Sequence, residues 1–148
     1  MLFKGSKSSI YIKGKVESNT SLFFVHGFTG SSATWDAIRS SINTKSYAID
    51  IPGHGRSKFK YLKESYSIED FCLEFYLLLN SLNINKIDLC GYSLGGRLAL
   101  CFAYNYPEKI NSLILESTSY GIENLEEKEQ RLHDDLELSE SIKDNYED

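Results

Sequence analysis

Gly91-Tyr92-Ser93-Leu94-Gly95 is the stretch on which the reading of this chain turns. It follows the apolar run Ile87-Asp88-Leu89-Cys90 and precedes a helical pattern, Gly96-Arg97-Leu98-Ala99-Leu100-Cys101-Phe102-Ala103-Tyr104. A G-x-S-x-G between a strand and a helix is the signature of a turn that exposes a nucleophilic serine. The turn is so sharp that the serine backbone is strained, and the flanking glycines remove the Cβ atoms that would clash there. The hydroxyl then stands clear above the sheet, where a substrate can reach it. Glycine and serine are common residues, so the pentapeptide alone says little. The strand before it and the helix after it make it specific.

Outward from this turn the chain alternates strands and helices. Ser9-Ile10-Tyr11-Ile12 is β-like, and Ser21-Leu22-Phe23-Phe24-Val25 is a continuous apolar run of the kind a buried parallel strand shows. A helix is predicted from Ser32 to Ile42, then a strand from Ser46 to Ile51, stopped by Pro52-Gly53. Ser67 caps a predicted helix from Ile68 to about Leu82, with Asp70 at the reciprocal capping position. Ile110 to Leu115 reads as a further strand, and Glu123 to Ile142 as a mostly charged amphipathic helix. Alternation of this kind implies an α/β fold, a mostly parallel sheet with helices on both faces. Ligands of such sheets bind beyond the carboxyl ends of the strands. Three features fall at such ends: His26–Gly30, Asp50–Ser57 and Ser93.

The bulk properties narrow the class. The first 120 residues hold 13 Lys+Arg against 10 Asp+Glu, whereas residues 121–148 hold 3 against 11. The acidic end reads as a solvated helix, and nothing resembles a basic nucleic-acid surface. No apolar run is long enough to span a bilayer. Met1-Leu2-Phe3-Lys4 leads into polar sequence rather than a signal-peptide core. The three cysteines, Cys72, Cys90 and Cys101, lack metal-like spacing and read as small buried hydrophobes. These features lead us to expect a cytoplasmic protein with no metal, no nucleic-acid partner and no membrane.

The chemistry expected of Ser93 needs an oxyanion hole and a base. The N–H of Leu94 is one expected donor. The other is best placed at Phe28, in the glycine-flanked loop His26-Gly27-Phe28-Thr29-Gly30. The base is harder to find. In this architecture an acid and then a histidine follow the serine along the chain. His26 and His54 precede it and read as loop and turn residues. His133 follows it but lies in a charged helix beside Asp134 and Asp135. The last parallel strand, around Leu113-Ile114-Leu115, also has no successor, and such an edge invites pairing. The expectation is an N-terminal part of a longer domain, whose remainder carries the acid, the base and the further core strands. Self-association through the exposed edge is a corollary.

Four segments together resemble one branch of the α/β-hydrolase superfamily. They are His26-Gly27-Phe28-Thr29-Gly30-Ser31-Ser32, Asp50-Ile51-Pro52-Gly53-His54-Gly55-Arg56-Ser57, Gly91 to Leu100, and Leu113-Ile114-Leu115-Glu116-Ser117-Thr118-Ser119. The branch is the 2-succinyl-6-hydroxy-2,4-cyclohexadiene-1-carboxylate synthases of menaquinone biosynthesis. The first two segments are common across the superfamily. Arg97 directly after Gly95-Gly96, and the Leu-Glu-Ser-Thr-Ser strand end followed by Arg131-Leu132, are more specific. The resemblance implies a cofactor-free lyase that takes a proton from a cyclohexene substrate and expels pyruvate. Ser93 would act as the base, helped by a histidine, with Phe28 and Leu94 as oxyanion donors. The substrate is a small polycarboxylate, which suits guanidinium anchors at Arg97 and Arg131. Tyr92 matches an active-site tyrosine. On this pattern residues 1–118 are the N-terminal part of the hydrolase core, and 119–148 begin an acidic helical cap or lid. The chain departs from the pattern at Tyr120, where the branch usually has proline, and in the absent acid and base.

Plainer readings stand beside these. Arg97 could be a surface residue of its helix, and Arg131 an ion-pair partner of Glu127 or Asp135. A general serine esterase of the same fold, or a non-catalytic remnant, are the alternatives to the lyase. Arg97 and Arg131 favour the lyase, because a simple ester pocket is mostly apolar.

Overall fold

The computed structural model describes residues 1–14, 22–61, 65–122 and 124–145. The chain divides into two units, Met1–Thr118 and Ser119–Asp148. In the first, the elements run β1 (Leu2–Lys4), β2 (Ser8–Lys13), β3 (Leu22–Val25), a 3-10 turn (Ser32–Trp35), α1 (Asp36–Ser41), β4 (Ser46–Ile49), β5 (Lys58–Phe59), α2 (Ile68–Ser81), β6 (Ile87–Tyr92), α3 (Leu94–Asn105) and β7 (Ile110–Glu116). The second unit holds one long helix, α4 (Leu125–Asn145).

The strands lie in the order β1-β2-β4-β3-β6-β7, with β5 against β2. β4, β3, β6 and β7 are parallel neighbours, and β1, β2 and β5 are antiparallel. The four parallel strands are those the apolar runs predict. β2 contains the predicted β-like stretch Ser9–Ile12, whereas its antiparallel partner β1 is an addition. Leu2-Phe3-Lys4 is too short to show a period in sequence, and its strand forms because residues 2–4 pair with 9–11.

The chain leaves β3 for β4 on one side and returns through α2 to β6 on the other. The faces divide accordingly. Phe23, Val25, Tyr47, Ile49, Ile87 and Leu89 pack with Phe71, Phe75, Leu98 and Phe102 of α2 and α3. Phe24, Ala48 and Cys90 pack with Trp35 on the opposite face. The sheet therefore carries helices on both faces. Aromatic rings tie the larger core together: Phe75 meets Phe23 edge-on at 5.7 Å and Phe102 at 4.8 Å. β7 ends the strand order, and its Ile114 and Leu115 are 52% and 40% exposed.

Local chemistry explains the helix boundaries. The Ser67 hydroxyl accepts from the Asp70 N–H at 3.2 Å, and the Asp70 carboxylate accepts from the Ser67 N–H at 2.9 Å. Both halves of the expected capping box are present. The single helix predicted over 32–42 is instead broken. Ser31 caps a 3-10 turn that ends at Trp35, and only Asp36–Ser41 continue as α-helix. Trp35 fixes the break by stacking on Phe24 at 4.7 Å.

One core-facing residue of α2 is a carboxylate. Glu74 is 1% exposed and is held by donors from the β1–β2 hairpin and beyond. They are the Ser6 hydroxyl (3.3 Å), the N–H groups of Lys7 (2.7 Å) and Ser8 (3.1 Å), the Ser8 hydroxyl, and the Tyr66 hydroxyl (3.0 Å). Burial alone pushes the Glu74 carboxyl up. The bonds from the Ser8 hydroxyl, the Lys7 N–H and the Tyr66 hydroxyl outweigh it, holding the group below its ordinary value. A depressed folded value stabilises the fold above the ordinary 4.5, and that stability is lost as pH falls through the folded value. Urea unfolding should show this acid decline. Glu74→Gln should lose about 1–3 kcal/mol at neutral pH and decline less steeply below 4.5.

Candidate active site

The strand order reverses at β3, whose parallel neighbours are β4 on one side and β6 on the other, and ligands of such sheets bind beyond the carboxyl ends of the strands at that point. Ser93 stands there, between β6 and α3, with φ 51° and ψ −112°. A positive φ in a non-glycine residue stores strain of about 1–3 kcal/mol, which the surroundings must hold in place. Its N–H donates to the Glu116 carbonyl at 2.9 Å, and its own carbonyl accepts from the Arg97 N–H at 3.1 Å. Its side chain does not cap α3.

Two glycines bring the loop after β3 against this turn. A Cβ on Gly95 would run into the carbonyl oxygens of Val25 and His26. A Cβ on Gly27 would lie 2.8 Å from the Tyr92 ring and 3.4 Å from Ser93 Cβ. Gly27 and Ser93 are therefore near neighbours, and the half-exposed Tyr92 ring lies over Gly27. The next residue, Phe28, has no acceptor for its N–H among the described residues. Leu94 N–H is likewise unpaired there, as the first N–H of an uncapped helix must be. Two open donors thus flank the residue that carries the hydroxyl.

The loop is braced from below. His26 is fully buried; its Nδ1 lies 2.7 Å from the Gly27 carbonyl, and its Nε2 accepts from the Ile51 N–H at 3.0 Å. Burial pulls its pKa below the ordinary value, which keeps the ring neutral at neutral pH. Asp50, 2% exposed, accepts from the Ser32 N–H (2.5 Å) and the Arg56 N–H (2.8 Å). Ser57 donates to the Asp50 carbonyl at 2.6 Å and accepts from the Tyr11 N–H at 2.7 Å. The histidine and aspartate of the two loop motifs thus hold backbone. An aspartate between an apolar strand and Pro-Gly was the sequence signal for such a brace.

The first unit therefore brings together Phe28, Tyr92, Ser93 and Leu94, with exposed Arg97 on the same first turn of α3. Arg131 belongs to the other unit, where its Nε donates to Asp135 at 2.9 Å, as the plainer reading has it. His133 also lies on α4, solvent-exposed and 3.6 Å from Glu137. Cys72 and Cys90 are buried, and burial pushes both thiols up, away from nucleophilic use. Among the described residues no group of three or more His, Cys, Asp or Glu could hold a metal, and no helix is long and apolar enough to cross a membrane.

Comparison with known proteins bears on this geometry. The profile of the alpha/beta hydrolase fold matches residues 20–143. The chain belongs to that family. A 2-succinyl-6-hydroxy-2,4-cyclohexadiene-1-carboxylate synthase of Klebsiella pneumoniae is 33% identical over 126 residues, covering 82% of this chain and 48% of that protein. A candidate synthase of the same name in Bacillus subtilis is 35% identical over 119 residues, covering 80% of this chain and 43% of that protein. Among solved structures, a carboxylesterase of Nitrososphaera gargenis superposes with a TM-score of 0.77 at 20% identity, covering 90% of this chain and 51% of that one. At that identity the likeness speaks for the fold alone. The chain spans less than half the length of these two synthase relatives.

In this hydrolase-fold chain Gly95 makes the tightest approach to backbone at the elbow. Gly95→Ala should destabilise the protein by about 1–3 kcal/mol, as overpacking does, measured by urea unfolding. Arg97→Ala, on the exposed side of the same turn, should change stability by less than about 0.5 kcal/mol.

Proposed function

We propose that Ser93 serves an elimination of the kind named for the synthase relatives. The substrate is 2-succinyl-5-enolpyruvyl-6-hydroxy-3-cyclohexene-1-carboxylate. Loss of a ring proton and of pyruvate gives 2-succinyl-6-hydroxy-2,4-cyclohexadiene-1-carboxylate. Ser93 Oγ takes the ring proton, and the electron pair left on carbon forms the C2–C3 double bond. The existing C3–C4 double bond shifts to C4–C5, and the C5–O bond breaks with its pair going to the enolate of pyruvate, which takes up a proton to leave as pyruvate. The observation that carries this reading is the pair of open N–H donors at Phe28 and Leu94 beside Ser93. Donors of that kind stabilise developing negative charge by about 2.7–4 kcal/mol each in known cases. Arg97 would anchor a carboxylate of the substrate, and Tyr92 would line its site; Arg131 has a carboxylate-anchoring role only by the resemblance to the synthase branch.

A serine hydroxyl is a base only when a second group takes its proton. His26 cannot do so, because both ring nitrogens are engaged with backbone. His54 is a turn residue whose Nδ1 lies 3.4 Å from the Pro52 carbonyl, and His133 is exposed on α4. In this reading the proton acceptor belongs to the part of the relatives' length outside the matched region. Residues 1–118 supply the nucleophile side of the site, and 119–148 the start of a cap.

The test is pyruvate release, read by coupling to NADH oxidation. Residues 1–148 alone should be nearly inactive. A chimera in which they replace the matching region of the Klebsiella relative should release pyruvate. Ser93→Ala in the chimera should lower kcat by up to about 10⁶-fold, as loss of the nucleophile does in a serine protease. Arg97→Ala should raise KM by about 10-fold or more, the worth of a charge-assisted hydrogen bond. A folded chimera that turns over p-nitrophenyl esters but releases no pyruvate would instead support the esterase.

A further inference from the structure

The peptide between Gly27 and Phe28 is a single planar unit. Its carbonyl oxygen and its N–H point in opposite directions, so whatever fixes the Gly27 carbonyl also aims the Phe28 N–H. The Gly27 oxygen lies 2.7 Å from His26 Nδ1 and accepts from the Gly30 N–H at 3.1 Å. The other side of the imidazole is fixed as well, because Nε2 accepts from the Ile51 N–H at 3.0 Å. An Nε2 that accepts carries no proton, so the proton of the neutral ring is on Nδ1 and is donated to Gly27. The result is a relay from the loop after β4, through a fully buried ring, to the peptide beside Ser93.

We propose that His26 is the positioning residue of the Phe28 donor: locked as the Nδ1–H tautomer by Ile51, it holds the Gly27–Phe28 peptide with its N–H turned to the serine. This rests on the reading of the Phe28 N–H as an oxyanion donor and adds the residue that aims it. Three features support it beyond the two hydrogen bonds. The ring is buried and held neutral, so it does not exchange its donor and acceptor roles near neutral pH. Gly30 leaves the space that the arrangement needs, since a Cβ there would lie 3.1 Å from both the Gly27 oxygen and His26 Nδ1. The Phe28 N–H is left open while the carbonyl of the same peptide takes two bonds. Donation to a carbonyl polarises its amide, which makes the N–H at the other end a stronger donor.

The experiment has two arms. In the first, ¹⁵N spectra of the imidazole in the 148-residue protein should show Nδ1 protonated and Nε2 bare. The Phe28 N–H residual dipolar coupling should be kept in His26→Asn, whose amide can still donate to Gly27, and altered in His26→Phe. An Nε2–H tautomer, or a Phe28 coupling indifferent to both substitutions, would overturn the proposal. Should His26→Phe not fold, the wild-type tautomer and the Asn variant decide it. In the second arm, the chimera carrying His26→Phe should lose about 10²-fold in kcat, the cost of a misplaced catalytic group, with KM within about twofold. His26→Asn should recover most of that loss. An inactive wild-type chimera with the first arm intact would refute the elimination and leave the positioning role standing. Pyruvate release with the first arm failed would do the reverse.

Discussion

The elbow helix reaches the end of β3 only because Gly95 carries no side chain. A Cβ there would run into the Val25 and His26 carbonyl oxygens, so the first turn of α3 packs on bare backbone. That contact sets Ser93 at a positive φ, puts Gly27 beside it, and leaves the Leu94 N–H open at an uncapped helix start. Backbone on backbone is a rigid arrangement, since neither side has a rotamer to change. The strain at Ser93 is held by the same packing, with the Glu116 carbonyl on its N–H fastening the turn to the end of β7.

The loops that meet this contact are held by buried polar groups. His26 links the loop after β3 to that after β4, Asp50 links the latter to Ser32 and Arg56, and Ser57 ties it on to β2. Every one of these side chains bonds main-chain atoms. Unpaired, each would cost a desolvation penalty of about 1–3 kcal/mol; paired, they fix loop positions. The polar side chains of these loops are thus taken up by main chain, while the Phe28 and Leu94 N–H groups have no acceptor among the described residues.

The sequence made much of this legible, and the limits have physical causes. β3, β4 and β6 announced themselves because a strand buried on both faces needs a continuous apolar run, and β7 carries an apolar run although its residues are largely exposed at the end of the strand order. The α2 boundary was legible because Ser67 and Asp70 bond each other locally. β1 was not, because three residues gain their strand only by pairing with β2. The break at Trp35 depends on stacking with Phe24, a contact no local pattern encodes. Glu74 lies among the apolar positions of α2, and its burial is explained only by donors from residues 6–8 and Tyr66. At the site, the elbow and the glycine loop could be read as motifs. Their contact across Gly27 and Gly95 could be seen only once the strands were ordered. Arg131 shows the converse: an exposed i,i+4 pair with Asp135 was legible locally, whereas its part in binding substrate rests on resemblance.

The central claim is that Ser93 and the open N–H groups of Phe28 and Leu94 form one oxyanion site. The most direct test is a crystal structure of the protein treated with phenylboronic acid. The account predicts a tetrahedral boron on Ser93 Oγ, with one boronate oxygen within hydrogen-bonding distance of both N–H groups. A Ser93 adduct whose oxygens all face solvent, or boron held elsewhere with Ser93 unmodified, would contradict it.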